Sequence, residues 1–257
     1  MYTRNGTEAI QQRHNIISPG SGIEHWGTEY FGPRFPTETG VGPQSLMTEL
    51  TANETVLAHF HGMSQFQIFA IGSGTMGRNQ LQPITFQFKD PSTAYGPVIA
   101  GPQGLSFFVM RIKTAHAAPV YLDRPGYKEF LKPSKRRNLI IPNIMVSTEP
   151  VLMYRKDAYW DPIIAYDKYD DGLAAHVLRM GAGMEVMGPD PKRSGGYYLF
   201  VINGSLEHEG KDFPLWSMIV VERHEDAVPI KAGKKGVEVM VLEFPSQEAE
   251  TQVTDTQ

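Results

Sequence analysis

The segment His59-Phe60-His61-Gly62-Met63-Ser64-Gln65, closed by Gly72, is the most informative stretch of this chain. On an extended strand residues i and i+2 share a face, so His59 and His61 point the same way, about 7 Å apart along the backbone. Gly62-Met63-Ser64 reads as a tight turn. A second strand then starts at Gln65 and can return that side chain towards the two imidazoles. Alternation puts Gln65, Gln67, Phe69 and Ile71 on one face and Phe66, Ile68 and Ala70 on the other. Two amides on the face of a histidine pair predict a polar pocket inside an otherwise apolar β structure.

Working outward, short runs rich in Val, Ile, Phe, Tyr and Met recur at 55–61, 65–71, 84–88, 105–114, 139–146, 195–202, 216–222 and 237–244, separated by Gly and Pro. Runs of that length between turn residues read as strands, and many of them together predict a sandwich or barrel. Helical periodicity is scarce; 8–13 and 126–131, the latter opened by Pro125, are the best short helices. Two blocks are alike: QFQIFAIGSGTMGRNQLQPITFQF (65–88) and YYLFVINGSLEHEGKDFPLWSMIVVE (197–222). Each has an apolar strand, a Gly turn, a polar stretch and another apolar strand, then one further strand after a Gly-containing connection. The pattern predicts a duplicated unit. The expected division is an N-terminal arm (1–45), a first barrel (46–114), a connection (115–162), a second barrel (163–245) and a polar tail (246–257).

The spacing of His59, His61, position 65 and Gly72 resembles the first motif of the cupin superfamily, His-x-His, three or four residues, Glu, six residues, Gly. Gln65 replaces the Glu, and Glu54 stands near the place of the motif's opening Gly. The family's second motif ends in a third His; 90–97 (DPSTAYGP) has none, and Tyr95 lies closest to that place. The resemblance implies an all-β chain of two antiparallel jelly-roll barrels, a bicupin with few short helices. It covers most of the chain as architecture and about thirty residues as motif. It further implies a divalent transition metal (Fe, Mn, Ni or Zn) on His59, His61 and Gln65, with Tyr95 as the candidate catalytic group. In the second block Tyr197 stands at the Glu place and no His-x-His precedes it, so that barrel is expected to be a structural element, dimer surface or lid.

Other candidates are weaker signals. Gln67 could contact substrate, and Arg111, in the apolar run SFFVMRIKT, could hold a substrate carboxylate or form a barrel-end ion pair. Lys135-Arg136-Arg137 reads as a solvated loop. His25-Trp26 and Tyr30-Phe31 lie in the N-terminal arm, which can wrap a barrel or close a pocket. His116, His176, His208 and His224 lack a partner at ligand spacing. GSGTMG follows a strand but opens no helix, so it is not a phosphate loop.

Composition narrows the function classes. The chain has 257 residues, 41% hydrophobic and 20% charged, enough for two small cores. A net charge of -4, with no basic arm, argues against nucleic acid. There is no cysteine, which excludes disulfides, thiolate zinc sites and cysteine nucleophiles and suits a cytoplasmic setting. No signal peptide or membrane span is expected. The expected function is a metal-dependent enzyme on a small organic substrate, with oxygenase chemistry ahead of isomerase or lyase chemistry; a non-catalytic small-molecule-binding cupin is the alternative. A homodimer is the expected assembly.

Overall fold

A computed structural model describes residues 1–17, 22, 24–35, 42–114 and 118–246. His116 and the tail beyond Ser246 lie outside the described residues. The chain is mostly antiparallel strand, with α-helices only at Gly6–Ile10 and Glu149–Met153 among the described residues. It divides into two compact units, Gln12–Met145 and a second formed by Met1–Gln11 with Val146–Gln257.

The first unit is built on a nine-stranded sheet. Its main path runs Asn138–Ile141, Thr85–Lys89, Gln65–Met76, Val98–Arg111, Gln44–Leu50, Glu24–Phe31 and His14–Ile17. A two-stranded sheet pairs His59–Phe60 with Val120–Tyr121. Alternation along the strands separates two faces. Leu46, Phe69, Leu105, Phe107 and Val109 form an apolar cluster with Tyr95. On the opposite face Phe66, Phe86 and Phe88 are fully buried and their rings are in contact. Burying each such ring contributes about 1.5–3 kcal/mol.

The second unit repeats the plan in an eight-stranded sheet, with main path Tyr2–Arg4, Met218–Glu222, Gly196–His208, Pro229–Glu243, Ala174–Met180 and Tyr159–Ile164. The duplication extends to a backbone irregularity. Gly72 pairs with Leu105 and Gly204 with Val237, and the register then slips at Ala70 and at Ile202 in the same way. Gly72 and Gly204 both have positive φ, and a Cβ on either would overlap the carbonyl oxygen of Gly104 or Gly236 respectively. Only glycine meets both demands. The slip also corrects one face assignment. Ile71, expected inward with Gln65, Gln67 and Phe69, lies beyond the bulge and is 48% exposed.

The two units divide the chain at other places than the sequence pattern suggests. The start of the chain pairs with the second unit, Tyr2 opposite Val220, whereas His14–Ile17 and Glu24–Phe31 extend the first sheet. The expected connection is likewise shared: Val120–Tyr121 and Asn138–Ile141 pair into the first unit, and Tyr159–Ile164 into the second. Segments without a strong apolar period have joined the sheet edges through backbone pairing, which sequence pattern records poorly. The first helix begins at Gly6, not at residue 8, because the Asn5 side chain accepts from the Thr7 and Glu8 amides. The second expected helix is one 3-10 turn, Tyr127–Phe130.

Candidate functional site

His59–Phe60 is short because two different segments clamp it. His59 exchanges backbone hydrogen bonds with Tyr95 on one side and pairs with Tyr121 on the other. The Ser92 amide donates to the His61 carbonyl at 2.7 Å. This clamp brings the His59 ring to 5.1 Å from that of His61 and 4.4 Å from that of Tyr95. All six expected site residues, His59, His61, Gln65, Gln67, Tyr95 and Arg111, are buried.

Hydrogen bonds decide what each can offer. The His59 Nδ1 lies 2.7 Å from the Leu57 carbonyl, to which it donates, so the lone pair sits on Nε2. Gln65 and Gln67 each donate an amide N–H to the Tyr95 hydroxyl oxygen at 3.4 Å. The Tyr95 O–H therefore remains a donor. Burial pushes that phenol up to about 12, against the opposing effects of Arg111 and the two amides. At neutral pH it holds its proton and acts as a donor, not as a base. Arg111 Nε and Nη2 donate to Gln65 Oε1 at 3.0 and 2.8 Å, and Nη1 donates to Gln44 Oε1. Its Nη2 lies 3.3 Å from both ring nitrogens of His61.

A cavity of about 100 Å³ opens among these groups. His59, His61, Gln67, Tyr95 and Arg111 line it, together with His25 and Arg34 from the N-terminal segment. Its lining contains no Asp or Glu among the described residues. Arg34 is committed elsewhere through all three nitrogens: it donates to Thr48 Oγ1 and the Met47 carbonyl and faces Glu29 at 3.6 Å. His25 is 5% exposed, neither ring nitrogen has a hydrogen-bond partner, and burial with the Arg34 charge lowers it to about 4. His59 is lowered to about 3, chiefly by burial, with the Lys89 charge next. Both imidazoles are neutral at pH 7.

Structural neighbours agree on the architecture. Pirin YhhW from Escherichia coli in complex with nickel(II) superposes with a TM-score of 0.56 at 12% identity, covering 95% of this chain and 98% of that one. Oxalate decarboxylase from Lactobacillus farciminis, in a formate complex, gives 0.56 at 11% identity over 95% and 87%. The Bacillus subtilis enzyme, studied for its Mn(II) centres, gives 0.54 at 11% over 92% and 76%. The chain has the two-barrel cupin fold. No family model and no curated protein matches the sequence. At such identity the likeness is one of fold.

In this cupin frame the first barrel departs from a metal centre in its donor set. No three His, Cys, Asp or Glu side chains converge among the described residues. Gln65, expected as the third ligand, gives its carbonyl oxygen to Arg111, and the Arg111 charge lies against His61. The residues as arranged do not fit a divalent ion, because the Gln65 oxygen is already taken and the guanidinium against His61 would repel a second positive charge. Of the three expected ligands, the His59 Nε2 is the one presented as an open donor.

Arg34 and Lys89 are not singled out by the sequence, whereas His25 lies in the arm expected to wrap a barrel or close a pocket. His25 and Arg34 reach the cavity through the non-local pairing of Glu24–Phe31 with Gln44–Leu50. Lys89 is fully buried opposite Gln65, with its amine 3.5 Å from the centre of the Tyr95 ring and no hydrogen-bond partner. Burial, with the Arg111 charge second, holds it well below the usual lysine range. A signal was present: in Thr-Phe-Gln-Phe-Lys (85–89) the polar residues alternate and share the face of Gln65 and Gln67.

Proposed function

We propose that the first barrel binds a small organic anion, most simply a carboxylate. The carrying observation is the buried Arg111 in a cavity whose described lining holds no acidic side chain. Gln44 and Gln65 fix the guanidinium in place, so it is pre-organised for an anion rather than folded out to solvent. A cavity of this volume suits a ligand of a few non-hydrogen atoms; an apolar cavity of about 150 Å³ takes benzene. One structural neighbour is an oxalate decarboxylase in complex with formate, a small carboxylate. Titration calorimetry with acetate tests this reading. Saturable binding by the native protein, weakened at least about tenfold in Arg111→Met, is the expected outcome; no binding by the native protein sinks it.

A second reading is a metal-dependent enzyme, favoured by the open His59 Nε2 beside His61 and by the nickel and Mn(II) centres of the neighbours. It requires Arg111 to release Gln65. Oxygenase, isomerase and lyase chemistries all belong to that reading, with Tyr95 supplying a proton rather than removing one. Metal analysis after gentle purification separates the two: a stoichiometric transition metal supports the enzyme, and metal-free protein that binds acetate supports the anion site. No described helix is long and apolar enough to cross a membrane.

A further inference from the structure

The lining of the first-barrel cavity contains more than a cation. Two of its other polar groups, His59 and Tyr95, differ in kind, and the kind of each is set by a contact already fixed within the protein. The Nδ1–H of His59 is held by the Leu57 carbonyl, which leaves Nε2 as an acceptor. The Tyr95 oxygen receives the amides of Gln65 and Gln67, which leaves its O–H as a donor. The two rings are 4.4 Å apart. Gln65 links Tyr95 to Arg111, because its nitrogen donates to the phenol and its oxygen accepts from the guanidinium. Around Tyr95 the cavity therefore presents, side by side, a fixed positive charge, one donor and one acceptor; Gln67 Oε1 and the His25 ring, neither with a hydrogen-bond partner, also line it.

A simple carboxylate meets only part of that set. Its charge pairs with Arg111 and one oxygen can accept from Tyr95, but it has no hydrogen for His59. A hydroxyl close to the carboxylate supplies the missing hydrogen, and its oxygen can still accept. A second carboxylate would instead bring two lone-pair oxygens against the His59 acceptor. An amine in its usual protonated form would add positive charge near Arg111. We infer that the cavity selects a short 2-hydroxycarboxylate, with its carboxylate on Arg111 and its hydroxyl bridging the His59 Nε2 and the Tyr95 O–H. This rests on the anion reading above and names its substrate class. A site that pairs with a hydroxyl discriminates against the analogue that lacks it, because the buried groups are then left unpaired.

The test compares glycolate with acetate, which differ by that hydroxyl, in calorimetric titrations of the full-length protein freed of added carboxylates. Glycolate is expected to bind at least about tenfold more tightly than acetate. The His59→Phe variant keeps a ring in place but removes Nε2 and should bring the two ligands close to equal affinity; Tyr95→Phe should narrow the gap from the other side. The native comparison needs no variant, so a folding failure of either leaves the test intact. Equal affinities for glycolate and acetate in the native protein would overturn the hydroxy-acid inference while the anion site stands. Binding of neither ligand would overturn both. A glycolate preference that survives undiminished in His59→Phe and in Tyr95→Phe would also overturn it, because the hydroxyl would then be read elsewhere.

Discussion

Arg111 and Glu243 occupy the same place in the two barrels. Each ends a long strand, seven residues after a positive-φ glycine within it, Gly104 or Gly236. Gln65 and Tyr197 correspond likewise, seven residues before Gly72 and Gly204. On the neighbouring strand Lys89 faces Gln65 where Val221 faces Tyr197. The first barrel has thus placed guanidinium and amides around an opening, and the second has placed a carboxyl among rings. Glu243 is 1% exposed, and burial raises it to about 7 against the Tyr166 hydrogen bond and the Arg193 charge. His176 stacks on Tyr166 at 4.3 Å between ring centres. The rest of that interior is apolar, from Leu178 to Val241. One scaffold therefore encloses two chemistries of opposite sign.

The largest expected effect concerns the shared frame. Gly72→Val and Gly204→Val should each cost about 4 kcal/mol or more, or prevent folding, because the new side chain meets both a carbonyl oxygen and an unfavourable φ. Denaturant unfolding checks it; a mild loss at either position would mean that the two bulges are not equivalent locks. The next effect sharpens the contrast. Arg111→Met should weaken acetate about tenfold to a hundredfold, while Glu243→Gln leaves acetate binding as it was, since Glu243 belongs to the other unit. Equal losses would place the ligand in the wrong barrel.

Acid and base should then act on the barrels in opposite directions. Glu243 titrates near 7 when folded and near 4.5 otherwise. The unfolded chain therefore gives up this proton first, and stability falls as pH rises from about 4.5 to 7, by roughly 3 kcal/mol at most. His25 and His59 are lowered to about 4 and about 3 from 6.5. Their contribution is present above pH 6.5 and is lost as pH falls towards those values. Thermal melts across pH 4–8 should show Glu243→Gln removing the loss on the alkaline side while the acid-side loss persists. A Glu243→Gln protein with an unchanged profile would contradict the assignment. The smallest effect is Tyr197→Phe, which should leave first-barrel binding unaltered and change stability by less than about 1 kcal/mol.

The sequence made the first barrel's site legible where the backbone is regular. His59 and His61 meet because i and i+2 share a face, Gln65 and Gln67 follow by alternation, and Tyr95 and Arg111 reach the same cavity. What each residue does was less legible, because it depends on partners distant in sequence. Gln65 is defined by Arg111, 46 residues away. Lys89 ends its strand, where a lysine ordinarily reaches solvent. His25 and Arg34 sit in a Gly/Pro-rich stretch with little pattern of its own. Ile71 was misassigned because a bulge moves every later residue to the other face, and a bulge shows in sequence only as an isolated glycine.

The glycine pairs have one more consequence. Gly72 against Gly104, and Gly204 against Gly236, hold strand register through main-chain atoms. A slip of one residue would turn Phe66 and Phe88 to the face that carries Gln67 and take Gln65 and Lys89 off it. The choice of inward face is thus supported by main-chain atoms as well as by the apolar side chains that point inward. Polar inward positions are free to be rewritten: an arginine in one copy and a glutamate in the other coexist on the same framework. For redesign, this makes positions such as 111 and 243, where the two copies already differ in charge, the ones open to replacement while the four glycines and the apolar clusters are kept.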